Sequence, residues 1–191
     1  GQSVSEIGDL NGDLIPDCAI GLPDAMPPGS STTKDGAVII IWGDLTGGRV
    51  AFGFPLLSSL PNASRGVVVW GIPGAGLNLG WALQHGSCDV NGDDLDDLLL
   101  SCHSSTSSVM LPGFVVLGRK TDWPAMLNVS SLNGGTNGFK IITGSSSSSV
   151  QFGAQGFRSA GDFNNDVSLL PHFFPPLFFP ALFFSPFLET T

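Results

Sequence analysis

The sequence predicts an all-β fold made of repeated four-stranded units, and three observations support this prediction. Glycine and proline are frequent, with 26 and 14 among the 191 residues, which is typical of a chain that turns often. Short β-branched and aromatic runs bounded by glycine recur, whereas no segment combines a helical period with helix caps. Three acidic segments that begin at Asp9, Asp89 and Asp162 follow one another at similar intervals, as in a repeat protein.

The composition excludes several kinds of partner. Hydrophobic residues make up 42% of the chain, enough to bury a core, whereas charged residues make up only 12%. Seven Lys and Arg residues stand against 16 Asp and Glu residues, which gives a net charge of −9. Because phosphate groups are bound by basic surfaces, nucleic acids and anionic membrane surfaces are not expected partners.

Each repeat is expected to contain a strand, an acidic loop, a second strand, a polar loop and two further strands. The clearest strand signals are the runs VIIIW (38–42), VVVW (67–70), VVL (115–117) and FKIIT (139–143). Four short strands per repeat form the blade of a β-propeller. The sequence therefore predicts a partial β-propeller with about two complete blades and an incomplete third.

Repeats bury their faces against neighbouring repeats, so an open array is expected to expose apolar faces and strand edges. We expect the runs 38–42 and 67–70 to provide such edges. The tryptophans are expected to pack between the blades; they are Trp42, Trp70, Trp81 and Trp123.

Oxygen-bearing side chains occupy positions 1, 3, 5 and 9 of two acidic loops, DLNGDLIPD (9–17) and DVNGDDLDD (89–97). Hard oxygen donors at alternate positions of a tight, glycine-containing loop can converge on Ca²⁺, with a backbone carbonyl added at position 7. The sequence thus predicts two calcium sites, whose ligands are Asp9, Asn11, Asp13, Ile15 and Asp17 in the first loop and Asp89, Asn91, Asp93, Leu95 and Asp97 in the second.

A third, weaker site is expected in the third repeat, where only Asp162, Asn164 and Asp166 remain and position 9 is Leu170. The loops differ from EF-hand loops, because position 12 is Ile20 or Leu100 within a strand-like run. Since the carboxylates are used as ligands, the ions are expected to be structural, and no catalytic residues are predicted.

These residues resemble the FG-GAP repeats of the integrin α-subunit propeller and its relatives. The acidic loops match the calcium loops of that family, Phe152-Gly153 matches its Phe-Gly element, and Gly21-Leu22-Pro23 matches its Gly-Ala-Pro element. The chain departs from the pattern where Leu79 replaces Phe and where Ser101-Cys102-His103 replaces Gly-Ala-Pro. The resemblance implies that residues 1–166 are a fragment of a larger extracellular propeller.

The resemblance also implies a function. By this resemblance the chain would be a calcium-stabilised module at the cell surface or outside the cell, used for cell adhesion or ligand recognition. The partner would be an extracellular protein or glycan, with the possibility of a partner subunit, and membrane association would arise only through parts outside this chain. The alternative is the non-catalytic propeller of a secreted enzyme that resembles glycosylphosphatidylinositol-specific phospholipase D. Two glycosylation sequons, at Asn62 and Asn128, give weak support to secretion.

Several smaller features of the sequence have simple structural interpretations. The glycines from Gly74 to Gly80 lack the spacing of a dinucleotide loop and are interpreted as a turn. The three histidines are isolated along the sequence and are interpreted as surface or core residues; they are His85, His103 and His172. Cys88 and Cys102 could form a disulfide, a question that the sequence leaves open.

Residues 167–191 form a tail that is rich in Phe and Pro, and we expect it not to be a native domain. The stretch 167–188 has no formal charge at neutral pH and is long enough to span a membrane, but it contains five prolines. Each proline removes a backbone donor, which argues against a spanning helix. The abrupt change after Asp166 favours a tail derived from an intron or from an incorrectly assigned end, over a hydrophobic anchor.

Overall fold

The computed structural model describes residues 1–28, 33–43, 63–103 and 111–142, together with the backbone of two short strands at 157–159 and 171–173. Within this part of the chain the fold is all-β, and its one helical element is the 3-10 turn Val129–Ser131. The predicted fold class is therefore confirmed at this level. No helix in the described ranges is long and apolar enough to cross a membrane.

In the described part of the chain, ten strands follow one another in sequence and lie in three sheets. They are β1 (Ser3–Gly8), β2 (Asp17–Leu22), β3 (Ala37–Ile41), β4 (Gly66–Trp70), β5 (Leu98–Leu100), β6 (Gly113–Val116), β7 (Met126–Asn128), β8 (Gly138–Ile141), β9 (Phe157–Ser159) and β10 (Pro171–Phe173). The four predicted strand runs coincide with β3, β4, β6 and β8, because β-branched and aromatic side chains suit a pleated, buried surface.

The first sheet has the order β1-β2-β3-β4-β7. Strands β1 to β4 are neighbours in sequence order and pair antiparallel, which is the predicted arrangement of one repeat. Strand β7 comes from the second repeat and pairs in parallel with β4. The first sheet is thus a four-stranded repeat extended by one strand of its neighbour.

The second sheet has the order β5-β6-β8, with antiparallel pairs throughout. An isolated antiparallel bridge between Leu83 and Leu100 adds a fourth segment beside β5. This segment, β5, β6 and β8 repeat the order of β1 to β4. A third sheet consists of β9 and β10, which pair antiparallel and bring part of the tail beside residues 157–159.

Side chains replace part of the ladder where the segment around Leu83 meets β5. The Gln84 side chain accepts a hydrogen bond from Leu99 N at 2.8 Å and donates one to the Asp97 carbonyl at 2.8 Å. The Ser101 hydroxyl likewise bonds Ala82 N and Ala82 O, each at 2.8 Å. Gln84 and Ser101 are fully buried, so these bonds satisfy polar groups that have no access to water.

The expectation that runs 38–42 and 67–70 form open edges is wrong. Strand β3 lies between β2 and β4, and β4 lies between β3 and β7. The cause is the parallel pairing of β7 with β4, which places Leu127 opposite Val69. Within the described part of the first sheet, the outer strands are β1 and β7.

The main core lies between the first and second sheets. It combines side chains of both, including Ile40 and Val69 from the first and Leu98, Phe114 and Val116 from the second. Burial of these side chains is the principal stabilising term, because it removes apolar surface from water. The two repeats therefore share the main hydrophobic core.

The prediction that the tryptophans pack between repeats is confirmed in part. The rings of Trp42 and Trp123, from the first and second repeats, lie 5.1 Å apart at the margin of the shared core, as expected for side chains between repeats. Trp81 instead stacks on His103 within the second repeat, with ring centroids 3.9 Å apart. Trp70 packs on the opposite face of the first sheet, beside Ile39 and Val68.

Candidate metal centres

The first acidic loop, residues 9–17, connects β1 to β2 and is organised by the carboxylate of Asp9. Asp9 Oδ1 accepts hydrogen bonds from Gly12 N at 2.7 Å and Asp13 N at 3.1 Å. Asp9 Oδ2 accepts from Leu14 N at 2.8 Å. One side chain at position 1 thus satisfies the backbone donors at positions 4, 5 and 6, which fixes the turn.

The side chains at positions 3 and 5 continue this pattern. Asn11 Oδ1 accepts from Asp13 N at 2.9 Å, and Asp13 Oδ1 accepts from Ile15 N at 2.9 Å. The Asn11 amide also donates to Asp13 Oδ2 at 3.1 Å. Gly12 has a φ of 76° and Leu14 a φ of 67°, so the turn passes twice through the left-handed region that glycine adopts most easily. The loop is therefore held in a conformation that costs backbone strain.

The second acidic loop, residues 89–97, repeats these contacts. Asp89 Oδ1 accepts from Gly92 N at 2.7 Å and Asp93 N at 3.3 Å, while Asp89 Oδ2 accepts from Asp94 N at 2.9 Å. Asp93 Oδ1 accepts from Leu95 N at 3.0 Å. Gly92 and Asp94 have φ values of 75° and 65°. The two loops share one hydrogen-bonded conformation, although the strands that they connect belong to different sheets.

Position 9 of the first loop is buried and closes it. Asp17 Oδ2 accepts from Leu10 N at 2.9 Å and Asp17 Oδ1 accepts from Gly43 N at 2.9 Å. Burial raises the pKa of Asp17 to about 6; the hydrogen bonds from Gly43 and Leu10 oppose this, and the charges of Asp13 and Asp9 add to it. The three carboxylates at positions 1, 5 and 9 therefore lie within electrostatic reach of one another.

Position 9 of the second loop has the same environment. Asp97 Oδ2 accepts from Val90 N at 2.8 Å and Asp97 Oδ1 from Gly118 N at 2.8 Å. Burial raises the pKa of Asp97 to about 7, against the effect of these two bonds and with a contribution from the charges of Asp93 and Asp89. A cation among the carboxylates would favour their charged forms and lower these pKa values.

Across the ranges that the structure describes, no three His, Cys, Asp or Glu side chains are arranged as a metal-binding group. The loop carboxylates are instead directed at backbone N–H groups, as in the contacts of Asp9 and Asp89. An ionised carboxylate offers about four acceptor positions, so these bonds leave acceptor capacity on each oxygen pair. Carboxylate, amide and carbonyl oxygens are the donors that Ca²⁺ prefers, and in donor chemistry both loops fit that ion.

Two acidic residues with structural roles were missed by the sequence analysis. Asp96 accepts hydrogen bonds from Asp9 N at 2.7 Å and Cys88 N at 2.8 Å. Asp35 is fully buried and accepts from Gly74 N and Gly76 N, which holds the predicted turn in place. Asp96 was hidden among the other aspartates of its loop. An aspartate directly before a glycine-bounded strand was the only signal for Asp35.

The remaining predicted sites have mixed outcomes. The third loop, with Asp162, Asn164 and Asp166, and the sequon at Asn62 lie outside the described residues. The sequon residue Asn128 caps the 3-10 turn and donates from its amide nitrogen to the Gly71 carbonyl at 3.2 Å. Cys88 and Cys102 do not form a disulfide with each other.

Comparisons with known proteins give no family for this chain: no protein-family model matches it, and no curated protein matches it significantly. The fold and the loops define a class in structural terms. The described part of the chain is an all-β protein in which two packed sheets carry acidic loops of the same conformation.

Proposed function

We propose that this chain is a calcium-binding β-repeat module in which each of the two acidic loops binds one Ca²⁺ with a structural role. The observation that carries the proposal is the shared loop conformation. In both loops the aspartate at position 1 accepts bonds from positions 4, 5 and 6, as Asp9 and Asp89 do. The two loops lead into strands of different sheets, and yet both have the same strained turn and the same oxygen donors.

Electrostatics supports the proposal. In each loop burial raises the pKa of the carboxylate at position 9, and the charges at positions 5 and 1 raise it further, so the ionised carboxylates repel one another. A divalent cation would turn this repulsion into attraction. Ca²⁺ fits better than Mg²⁺, because Mg²⁺ usually retains several waters and is rarely bound by a cage of protein ligands alone.

A structural role follows from where the loops lie. The first loop directly joins the paired strands β1 and β2, and the second leads from Leu83 into β5. An ion in such a loop would restrain the connection between two strands. The residues proposed as ligands would be used for this purpose, so the module is proposed to be non-catalytic.

At the level of family, we propose a partial propeller of the FG-GAP type. The support is the order of strands, which runs in sequence within the first sheet and recurs as the Leu83 segment, β5, β6 and β8 in the second. The core shared by both sheets is consistent with neighbouring blades. As the resemblance implies, the module would act outside the cell in adhesion or ligand recognition, with a protein or glycan partner.

Calorimetric titration of the 191-residue chain with Ca²⁺ tests the proposal. We expect two tight sites in the unsubstituted chain, and one in each of the variants Asp13→Ala and Asp93→Ala. The matched control is Asp24→Ala, since Asp24 is an exposed aspartate outside both loops that pairs with Lys34 at the surface. The control should retain two sites. Unchanged stoichiometry in both loop variants, or no binding by the unsubstituted chain, would contradict the proposal.

A further inference from the structure

We propose that Asp96 couples the two acidic loops, so that a Ca²⁺ ion in one loop strengthens the binding of Ca²⁺ in the other. The inference rests on the proposed function, and it adds that the two sites are not independent. Asp96 lies at position 8 of the second loop, between Leu95 and Asp97, and is not one of the proposed ligands.

The carboxylate of Asp96 bridges the first residues of both loops. Its Oδ2 atom accepts a hydrogen bond from Asp9 N at 2.7 Å, and its Oδ1 atom accepts one from Cys88 N at 2.8 Å. Asp9 is position 1 of the first loop, and Cys88 directly precedes position 1 of the second. Hydrogen bonds to an ionised acceptor are stronger than neutral ones, so this bridge is a firm connection.

The backbone reinforces the bridge. Asp96 N donates to the Asp9 carbonyl at 3.1 Å, so Asp9 and Asp96 are joined in both directions. Arg119 N donates to the Leu10 carbonyl at 3.0 Å, which ties the next residue of the first loop to the second repeat. Gly8 has a φ of 72°, and a Cβ atom there would overlap the Asp96 carboxylate. The bridge therefore depends on a glycine directly before the first loop.

The first loop also faces the second repeat at Gly12. A Cβ atom at Gly12 would lie 2.6 Å from Lys120 Cγ and 3.1 Å from Leu95 Cδ2. Leu95 is buried, and it provides the proposed carbonyl ligand of the second site. The contact between the loops thus includes a proposed ligand residue on each side, Asp9 and Leu95.

Coupling is expected because each bound ion would reduce the conformational freedom of the residues around it. An ion in the second loop would fix residues 95–97, and with them the Asp96 carboxylate that holds Asp9. The first loop would then lose less conformational freedom when it binds its own ion, which is positive cooperativity without a change of fold. By linkage, the effect must be equal in the opposite direction. In the first loop position 8 is Pro16, which has no carboxylate, so the first loop has no counterpart of the Asp96 side chain.

A thermodynamic cycle measures this coupling in the full chain. The Ca²⁺ affinity of the first loop is determined with the second loop intact or disabled by Asp93→Ala, each with Asp96 or with Asp96→Asn. With Asp96 present, disabling the second loop should weaken the first by about fivefold or more. With Asp96→Asn, the same change should have less than about a twofold effect, since one of the two accepting oxygens becomes an NH2 group that cannot accept from its N–H partner.

The matched control is Asp94→Asn. It removes the same charge from the same loop, at an exposed position with a φ of 65°, which asparagine tolerates. This variant should keep the full coupling, so that a loss of charge alone is separated from the loss of the bridge. Equal coupling with Asp96 and with Asp96→Asn would overturn the inference and leave the proposed function intact.

Hydrogen exchange gives a second measurement that does not require Asp96 to be changed. In Asp13→Ala, where only the second loop can bind, added Ca²⁺ should slow exchange of the Asp9 amide by about fivefold or more. Unchanged exchange at Asp9 while the second site fills would also overturn the inference. If the unsubstituted chain binds no Ca²⁺, the proposed function fails first and the coupling fails with it.

Discussion

Asp17 Oδ1 accepts a hydrogen bond from Gly43 N at 2.9 Å, which ties the end of the first acidic loop to the residues that follow β3. Asp97 makes the equivalent bond with Gly118 N at 2.8 Å, just after β6. Both carboxylates are buried, and each accepts a second bond from its own loop. Position 9 of each loop therefore fastens the loop to a neighbouring strand through contacts that are independent of any ion.

This arrangement predicts that Asp97→Ala destabilises the chain even in the absence of Ca²⁺. The substitution leaves the N–H groups of Val90 and Gly118 without their acceptor, and each unsatisfied buried donor costs about 1–3 kcal/mol. We expect the free energy of unfolding to fall by about 3 kcal/mol in chelator, measured by urea denaturation. Asp93→Ala is the comparison, because Asp93 is exposed and bonds only within its loop. An equal loss in both variants would show that Asp97 does not fasten the loop.

Removal of Ca²⁺ should lower the stability of the chain, and the loss should be smaller in a variant with only one intact loop. An ion present at a hundredfold excess over its dissociation constant stabilises the folded state by about 2.7 kcal/mol per site. Thermal denaturation should therefore show a large upward shift on addition of Ca²⁺, and less than half of that free energy in Asp93→Ala, because the remaining site also loses its coupling to the second loop. Mg²⁺ at the same concentration should give a smaller shift. A melting temperature that does not respond to Ca²⁺ or chelator would contradict the proposed sites.

Much of the fold follows from local patterns in the sequence. Strands β3 and β4 are β-branched runs bounded by glycine, so their positions could be predicted from side-chain preference alone. The loop contacts of Asp9 and Asp89 follow in the same way, because Asp and Asn side chains accept bonds from backbone N–H groups a few residues ahead. These features depend on interactions close in sequence.

What could not be predicted depends on contacts between distant residues. Strand β7 has no alternating pattern, and its place beside β4 is set by the packing of one repeat on the next. The bond from Asp9 N to Asp96 spans the two repeats. Gln84 replaces backbone ladder bonds, a role that no property of the residue itself indicates. Tertiary packing determines these features, and local sequence patterns do not indicate which distant residues will be in contact.

The thiols provide a prediction that tests the packing of two buried clusters, the core between the sheets at Cys102 and a smaller cluster at Cys88. Cys88 and Cys102 are fully buried, and burial raises the pKa of the Cys102 thiol from its ordinary value of 9.0 to about 12. At pH 8 a thiol with that pKa is ionised in only about one molecule in ten thousand, and the thiolate is the reactive form. We expect neither thiol to react with a thiol reagent in the folded chain at pH 8, and all three cysteines to react in guanidinium chloride. Rapid modification of Cys102 in the folded chain would contradict the packing, and Cys102→Ser identifies its signal.

Asp35 gives the last prediction, which concerns stability outside the calcium loops. Its buried carboxylate accepts from Gly74 N at 2.9 Å and Gly76 N at 2.8 Å, and from the Thr33 hydroxyl at 3.1 Å, so it joins the start of β3 to the turn after β4. Asp35→Ala should lower the free energy of unfolding by about 2 kcal/mol, because hydrogen bonds to a charged group contribute about 1.5–3 kcal/mol. Calcium stoichiometry should not change, since Asp35 lies outside both loops.

The control for Asp35 is Asp24→Ala. Asp24 is exposed and pairs with Lys34 at 3.0 Å, and a surface ion pair of this kind contributes about 0–1 kcal/mol. Urea denaturation should therefore separate the two variants clearly, and calorimetric titration should give two tight sites in each. If Asp35→Ala were as stable as Asp24→Ala, the turn at 74–76 would not depend on the carboxylate. If it lost a calcium site, the turn and the acidic loops would not be separate parts of the fold.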